Sequence, residues 1–167
     1  PSAFTATEDT SITIKASDLL ANASDVDGNT LSISTISASS GTLVNNGNGT
    51  WTYTPNTNFN GAANFNFVVS DGNLTTTNNI NITVNPVNDA PITAPVTLSA
   101  TEDTAITFTN AQLIGSSYDI ENTALSATNV SATNCTIVNN GNGTWTFTPA
   151  ANFNGLANLS FDLSDGQ

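Results

Sequence analysis

Val44-Asn45-Asn46-Gly47-Asn48-Gly49-Thr50-Trp51 reads as a β-hairpin, and the fold follows from it. Asn-Gly supplies the positive φ of a tight primed turn. Beyond the turn, Trp51 and Tyr53 alternate with threonines. The same period of two runs through Ile12 and Ile14, Leu31 and Ile33, Phe65, Phe67 and Val69, and Ile80, Ile82 and Val84. That period sets one face of each strand on a core and the other in water. Helical periodicity is nearly absent, and only residues 16–23 hold enough for a turn or two. Seven or so short strands imply a two-sheet sandwich with Greek-key wiring.

The pattern then repeats. Thr7-Glu8-Asp9-Thr10 returns as Thr101-Glu102-Asp103-Thr104, Trp51 as Trp145, Phe59 as Phe153 and Asp71 as Asp165, each 94 residues later. Pairing residues 1–73 with 95–167 needs no gap and gives 36 identities in 73 positions, which marks an internal tandem repeat. The fold reading is therefore all-β, two tandem Ig-like sandwiches. Repeat 1 covers residues 1–85, a Pro/Asn/Asp linker covers 86–94, and repeat 2 covers 95–167. Repeat 1 continues past Asp71-Gly72 into residues 73–84, its last strand; at the constant offset repeat 2 lacks that strand. Its preceding strand, 159–163, is expected to leave an open edge and uncovered core.

Composition narrows the function. Thirteen acids face one base, Lys15, for a net charge of −12. Phosphate binding needs clustered Lys and Arg, so nucleic acid is excluded as a partner, and an anionic membrane surface likewise. No window is apolar enough for membrane insertion. Excess carboxylate suits divalent cations or a salty exterior. With one cysteine, Cys135, no internal disulfide can form. With no His, one Lys and one Cys, no nucleophile–base pair assembles, so no enzyme is expected. Abundant Thr, Ser, Asn and Gly is the composition of an extracellular all-β module. Trp51, Tyr53, Trp145 and Phe147 alternate inward, which suits core better than stacking on sugars.

The connector Asn85-Pro86-Val87-Asn88-Asp89-Ala90-Pro91 mixes stiffness with oxygen ligands. Its prolines fix φ and extend the residues before them. Wiring the sandwich delivers Asn88 and Asp89 to the end of repeat 2 that holds Asp119, Glu121 and Asp165. Glu8 and Asp9, in the turn after the first strand of repeat 1, are expected to approach from the other side. The loops of repeat 1 equivalent to those of repeat 2 hold Asp25, Asp27 and Asp71. Crowded carboxylates repel unless a cation sits among them. Ca²⁺ takes six to eight oxygens in flexible geometry, whereas Zn²⁺ wants His or Cys. Ca²⁺ is therefore the expected cofactor. Turn chemistry and solubility are the alternative account of any single Asp.

Six motifs follow one another in register: Thr-Glu-Asp-Thr, Asp-Val-Asp-Gly-Asn, Gly-Thr-Trp-Thr-Tyr-Thr-Pro, Asn-Phe-Asn-Gly, Ser-Asp-Gly and Val-Asn-Asp-Ala-Pro. Together they resemble the cadherin-like tandem repeats of large bacterial surface adhesins. The resemblance implies extracellular, cell-surface extender repeats whose junctions are rigidified by Ca²⁺, partnered by neighbouring repeats of the same chain. It implies junction ligands at Glu8, Asn88, Asp89, Asp119, Glu121 and Asp165. Repeat 2 departs from repeat 1 in carrying Asp119-Ile120-Glu121-Asn122 for Asp25-Val26-Asp27-Gly28. Two other readings stay open: a subunit of a self-assembling filament completed by strand exchange between copies, and a carbohydrate-binding module.

Overall fold

The computed structural model describes residues 3–167. The chain folds as two compact units, Pro1–Val87 and Asn88–Gln167. In the first unit the strands are β1 (Phe4–Thr7), β2 (Ile12–Lys15), β3 (Ser32–Ala38), β4 (Thr42–Asn45), β5 (Thr50–Thr54), β6 (Gly61–Ser70) and β7 (Thr75–Asn85), with a single-turn helix α1 (Ala16–Leu19) after β2. They form two sheets, ordered β1-β7-β6-β3 and β2-β5-β4. Every pairing is antiparallel except β1 with β7. This is the Greek-key sandwich expected from the alternation.

The inward residues of the two sheets make one core. Ile14, Trp51 and Tyr53 come from one sheet, and Phe65, Phe67, Val69, Ile80, Ile82 and Val84 from the other. Tyr53 and Phe65 meet edge to face at 4.9 Å between centroids, the arrangement ring quadrupoles prefer. The Tyr53 hydroxyl donates to the Ser40 carbonyl at 3.0 Å. Strand β7 supplies three of these buried side chains, Ile80, Ile82 and Val84. At about 1.5–3 kcal/mol for each fully buried aliphatic side chain, it carries a large share of the unit's stability.

The β4–β5 hairpin is longer than a two-residue primed turn. Asn46 N–H donates to the Thr50 carbonyl across Gly47-Asn48-Gly49, with φ of 76° at both glycines. Asn45 Oδ1 accepts from Gly47 N–H and Asn48 Oδ1 from the Thr50 hydroxyl. Side-chain carbonyls thus close a wider loop than backbone geometry alone would choose.

The second unit repeats the plan with β8 (Ile106–Thr109), α2 (Asn110–Ile114), β9 (Ser126–Ala132), β10 (Cys135–Asn139), β11 (Thr144–Pro149) and β12 (Leu159–Ser164). Its sheets are ordered β10-β11-β8 and β12-β9. Phe108, Leu113, Ala127 and Trp145 are its buried centre, with Phe147, Leu159, Phe161 and Leu163 only half-buried around them. The strand equivalent to β7 is missing among the described residues. So is strand structure at 98–101 and 155–158, whose counterparts in the first unit pair with β7. Residues 88–94, read from sequence as part of a linker, fall within this second compact unit. An isolated bridge joins Ile92 to Tyr118, and Ala94 N–H donates to the Ser117 hydroxyl at 2.9 Å.

Candidate metal centre

In the second unit, the loop after α2 presents two carboxylates. Asp119 Oδ1 accepts from Thr123 N–H at 2.9 Å, and Asn122 N–H donates to the Asp119 carbonyl at 3.2 Å. Asn122 sits at φ 59°, where its repeat 1 counterpart Gly28 sits at 77°. Asn tolerates the left-handed region better than most residues. The substitution therefore keeps the loop backbone. The Ile92–Tyr118 bridge lays the entering segment beside this loop, and Asp119 is only 3% exposed.

The entering segment adds the other groups. Asp89 N–H donates to Glu121 Oε2 at 3.2 Å. The Asn88 side-chain amide donates to Asp165 Oδ2 at 2.6 Å, and Gln167 N–H to Asp165 Oδ1 at 3.1 Å. The Asn88 hydrogen bond, followed by that from Gln167, lowers the Asp165 pKa below the ordinary carboxylate value. Asn88, Asp89, Glu121 and Asp165 are thus linked in pairs, with Asp119 in the same loop as Glu121.

Two buried oxygens stand out. Asp119 Oδ2 and Glu121 Oε1 have no hydrogen-bond partner among the described residues. An ionised carboxylate only accepts, and an uncompensated one costs several kcal/mol to bury. The second unit has no Lys, Arg or His to balance it, since the one base of the chain is Lys15. A donor set of carboxylates and a side-chain amide, with two idle buried oxygens, fits a hard cation.

The remaining predicted ligands belong to the first unit and hold its own structure. Glu8 is 1% exposed. Its Oε1 accepts from Val87 N–H at 2.6 Å and its Oε2 from the Asn60 amide at 3.2 Å. Sequence reasoning did not foresee that clamp on Val87. Asp9 is exposed, and its Oδ1 accepts from Asn58 N–H at 3.2 Å, as Asp103 does from Asn152 at 2.8 Å. Asp25 Oδ1 accepts from the N–H groups of Asp27 and Asn29 at 3.0 and 2.9 Å. Asp71 Oδ1 takes Asn73 and Leu74 N–H at 2.7 and 2.6 Å. The Leu74 bond and then the Asn73 bond lower its pKa. Asp27 is exposed beside Asp25. Turn chemistry accounts for the contacts of Asp25 and Asp71, whereas Asp9 ties its turn to a loop 49 residues away.

The fold defines a class: tandem Greek-key β-sandwich repeats, the second carrying a cluster of carboxylates in its loops. The family model of the cadherin-like domain matches residues 1–85 and again 87–167. The chain belongs to the cadherin-like domain family. No curated protein matches it. Among solved structures, the endo-fucoidan hydrolase MfFcnA4 of glycoside hydrolase family 107, as its H294Q variant, shares 27% identity over 100% of this chain and 26% of its own length, with a TM-score of 0.39. The Bacteroides ovatus mixed-linkage glucan utilization locus protein SGBP-B, solved with a mixed-linkage heptasaccharide, shares 15% over 98% of this chain and 40% of its own, with a TM-score of 0.33. Yersinia pseudotuberculosis InvD shares 20% over 96% of this chain and 50% of its own, with a TM-score of 0.26. The chain spans half or less of the length of each. Among the described residues no helix is long and apolar enough to cross a membrane.

Proposed function

We propose that the chain is a pair of extracellular extender repeats of a cell-surface adhesin, stiffened by Ca²⁺. Asp89, Asp119, Glu121, Asp165 and the Asn88 carbonyl of the second repeat would hold the ion. The role is mechanical and not catalytic, with neighbouring repeats of the same chain as its partners. The observation that carries the reading is the pair of idle oxygens, Asp119 Oδ2 and Glu121 Oε1, in a unit without a basic side chain. When bound, Ca²⁺ supplies the positive charge those oxygens lack.

The residues of this chain do the rest. Glu8 fastens Val87 to the first repeat, while Asp165 and Glu121 fasten Asn88 and Asp89 to the second. Consecutive residues are therefore tied down on each side of the connection. Pro86 and Pro91 restrict the backbone at its ends. A cation on Asp89, Asp119 and Glu121 would remove the repulsion that otherwise loosens the segment. Little freedom to bend then remains.

Calorimetric titration of the chain with CaCl₂ tests the reading. Saturable uptake is expected, together with a rise in Tm, because the folded state alone presents the assembled site. Absence of uptake above buffer would remove calcium from the mechanism. Small-angle scattering profiles identical in Ca²⁺ and in chelator would remove the stiffening.

A further inference from the structure

Asp119 and Glu121 sit in the irregular loop between α2 and β9. A side chain from outside that loop holds its far end. Asn110, the first residue of α2, bridges to the start of β9 with both ends of its carboxamide. Its Nδ2 donates to the Leu125 carbonyl at 3.2 Å, and its Oδ1 accepts from Ala127 N–H at 2.7 Å. An asparagine used in this way stands in for a strand partner, satisfying two backbone groups that a ladder would otherwise pair.

Asn110 is itself firmly placed. Its N–H donates to the Gly143 carbonyl at 2.9 Å. Beside it, Thr109 and Gln112 close a capping box, Gln112 N–H donating to the Thr109 hydroxyl at 3.3 Å and Thr109 N–H to Gln112 Oε1 at 2.9 Å. The near end of the loop is tied elsewhere. The Ser117 hydroxyl accepts from Ala94 N–H, and Tyr118 exchanges two backbone hydrogen bonds with Ile92, at 2.8 and 3.0 Å. The acids therefore lie between two fixed points.

The first repeat shows what the side chain adds. Ala16 holds the place of Asn110 there, and its N–H donates to the Gly49 carbonyl at the same 2.9 Å. The backbone is placed alike, and only the carboxamide is new. Ser117 in turn replaces Ala23. In the first repeat, with alanine at both positions, Asp25 stays half-exposed and Asp27 exposed.

A hard cation gathers several oxygens, and every ligand that must be ordered on binding costs affinity. We propose that Asn110 is a positioning residue for the candidate cation site. It acts through the loop rather than on the ion, pinning Leu125 and Ala127 so that Asp119 and Glu121 keep their buried arrangement. The inference rests on the calcium reading above.

The test gives the full chain the residue of the first repeat, Asn110→Ala. In chelator, NMR should show Ala127 and Thr123 N–H exchanging at least about tenfold faster, the first having lost its acceptor and the second its firm bond to Asp119. Thr133 N–H, which donates to the Asn158 carbonyl beyond the other end of β9, should stay within about twofold. Titration with CaCl₂ should give a Kd raised about tenfold, the scale for losing an outer-shell partner. Ile137→Val trims the half-buried packing of the same unit away from the loop, and should leave Kd within about twofold. Unchanged exchange at Thr123, or a Kd equal to the parent's, would overturn the role of Asn110 and leave calcium in place. A Kd raised as much by Ile137→Val would overturn it too, reducing Asn110 to a contributor to stability. No uptake by the parent chain would instead overturn the calcium reading, and this inference with it.

Discussion

Phe67 and Phe161 hold the same place in two copies of one repeat, yet Phe67 is 1% exposed and Phe161 only half-buried. Their immediate neighbours differ, Phe65, Asn66, Val68 and Val69 against Leu159, Ser160, Asp162 and Leu163, but the apolar alternation on the inward face is kept. What differs is a neighbour. In the first unit β7 fills the space between β1 and β6; the second shows an open groove there. The loops differ in the same way. Asp25 and Asp119 accept matching backbone hydrogen bonds, from Asn29 and Thr123. Asp25 nevertheless stays half-exposed while Asp119 is buried, beside the segment bridged through Ile92. One repeat therefore yields a closed core and a loop held by turn bonds, the other an open core and a candidate cation site.

The sharpest way to break the comparison is to truncate both phenylalanines. Phe67→Ala should destabilise the first unit by about 3–5 kcal/mol, the cost of emptying a well-packed core. Phe161→Ala should cost the second about half as much, because less apolar surface leaves water there. Urea unfolding followed by NMR, which reads each unit within the intact chain, checks both. Equal losses would mean that β7 is not what distinguishes the cores.

Glu8 and Glu102 make the next pair. Glu8→Gln removes charge from a buried acceptor of the Val87 N–H, and should cost the first unit about 1.5–3 kcal/mol. Glu102 is exposed, with one long contact of 3.5 Å to the Asn154 amide. Glu102→Gln should stay within about 0.5 kcal/mol of the parent. Similar losses from the two would refute the role given to the Val87 clamp.

Calcium affinity separates the loops. Asp119→Asn is expected to weaken binding about 10–100-fold, the scale seen when a metal site loses a supporting group. Asp25→Asn should change it less than about twofold, a difference titration calorimetry resolves at this scale. A larger effect at Asp25 would move the candidate site to the first unit.

Acid provides the mildest test. Asp71 and Asp165 both have folded pKa values lowered by hydrogen bonds. The stability they contribute is fully present above the unfolded carboxylate value, about 3.9, and is lost as pH falls through the folded values. Asp71 owes its shift to backbone N–H groups of its own turn, whereas Asp165 owes most to Asn88. Asn88→Ala should therefore raise the Asp165 pKa and leave Asp71 unchanged, as read from carboxyl carbon shifts. A parallel rise at Asp71 would show that the two turns are not independent.

Much of this was legible in the chain itself. Alternating Trp51 and Tyr53, or Ile80, Ile82 and Val84, must place every second side chain on one face, because a strand has a period of two. Asn-Gly steps must turn, since Gly tolerates positive φ. Oxygen donors in the loops around Asp119 and Asp165 are also visible in the sequence, and the structure links them to Asn88 and Asp89. Which of those acids are buried with idle oxygens could not be read the same way. Asp25 and Asp119 hold equivalent positions in the repeat, and the packing of residues 88–94 beside the Asp119 loop is a tertiary contact that no local pattern shows. The Glu8–Val87 hydrogen bond joins residues 79 apart in sequence, and no local pattern encodes it. Residues 4–7 form a strand and 98–101 do not. The missing counterpart of β7 was legible from the 94-residue offset, whereas the loss of pairing at 98–101 was not, because β1 meets β7 across residues far apart in sequence.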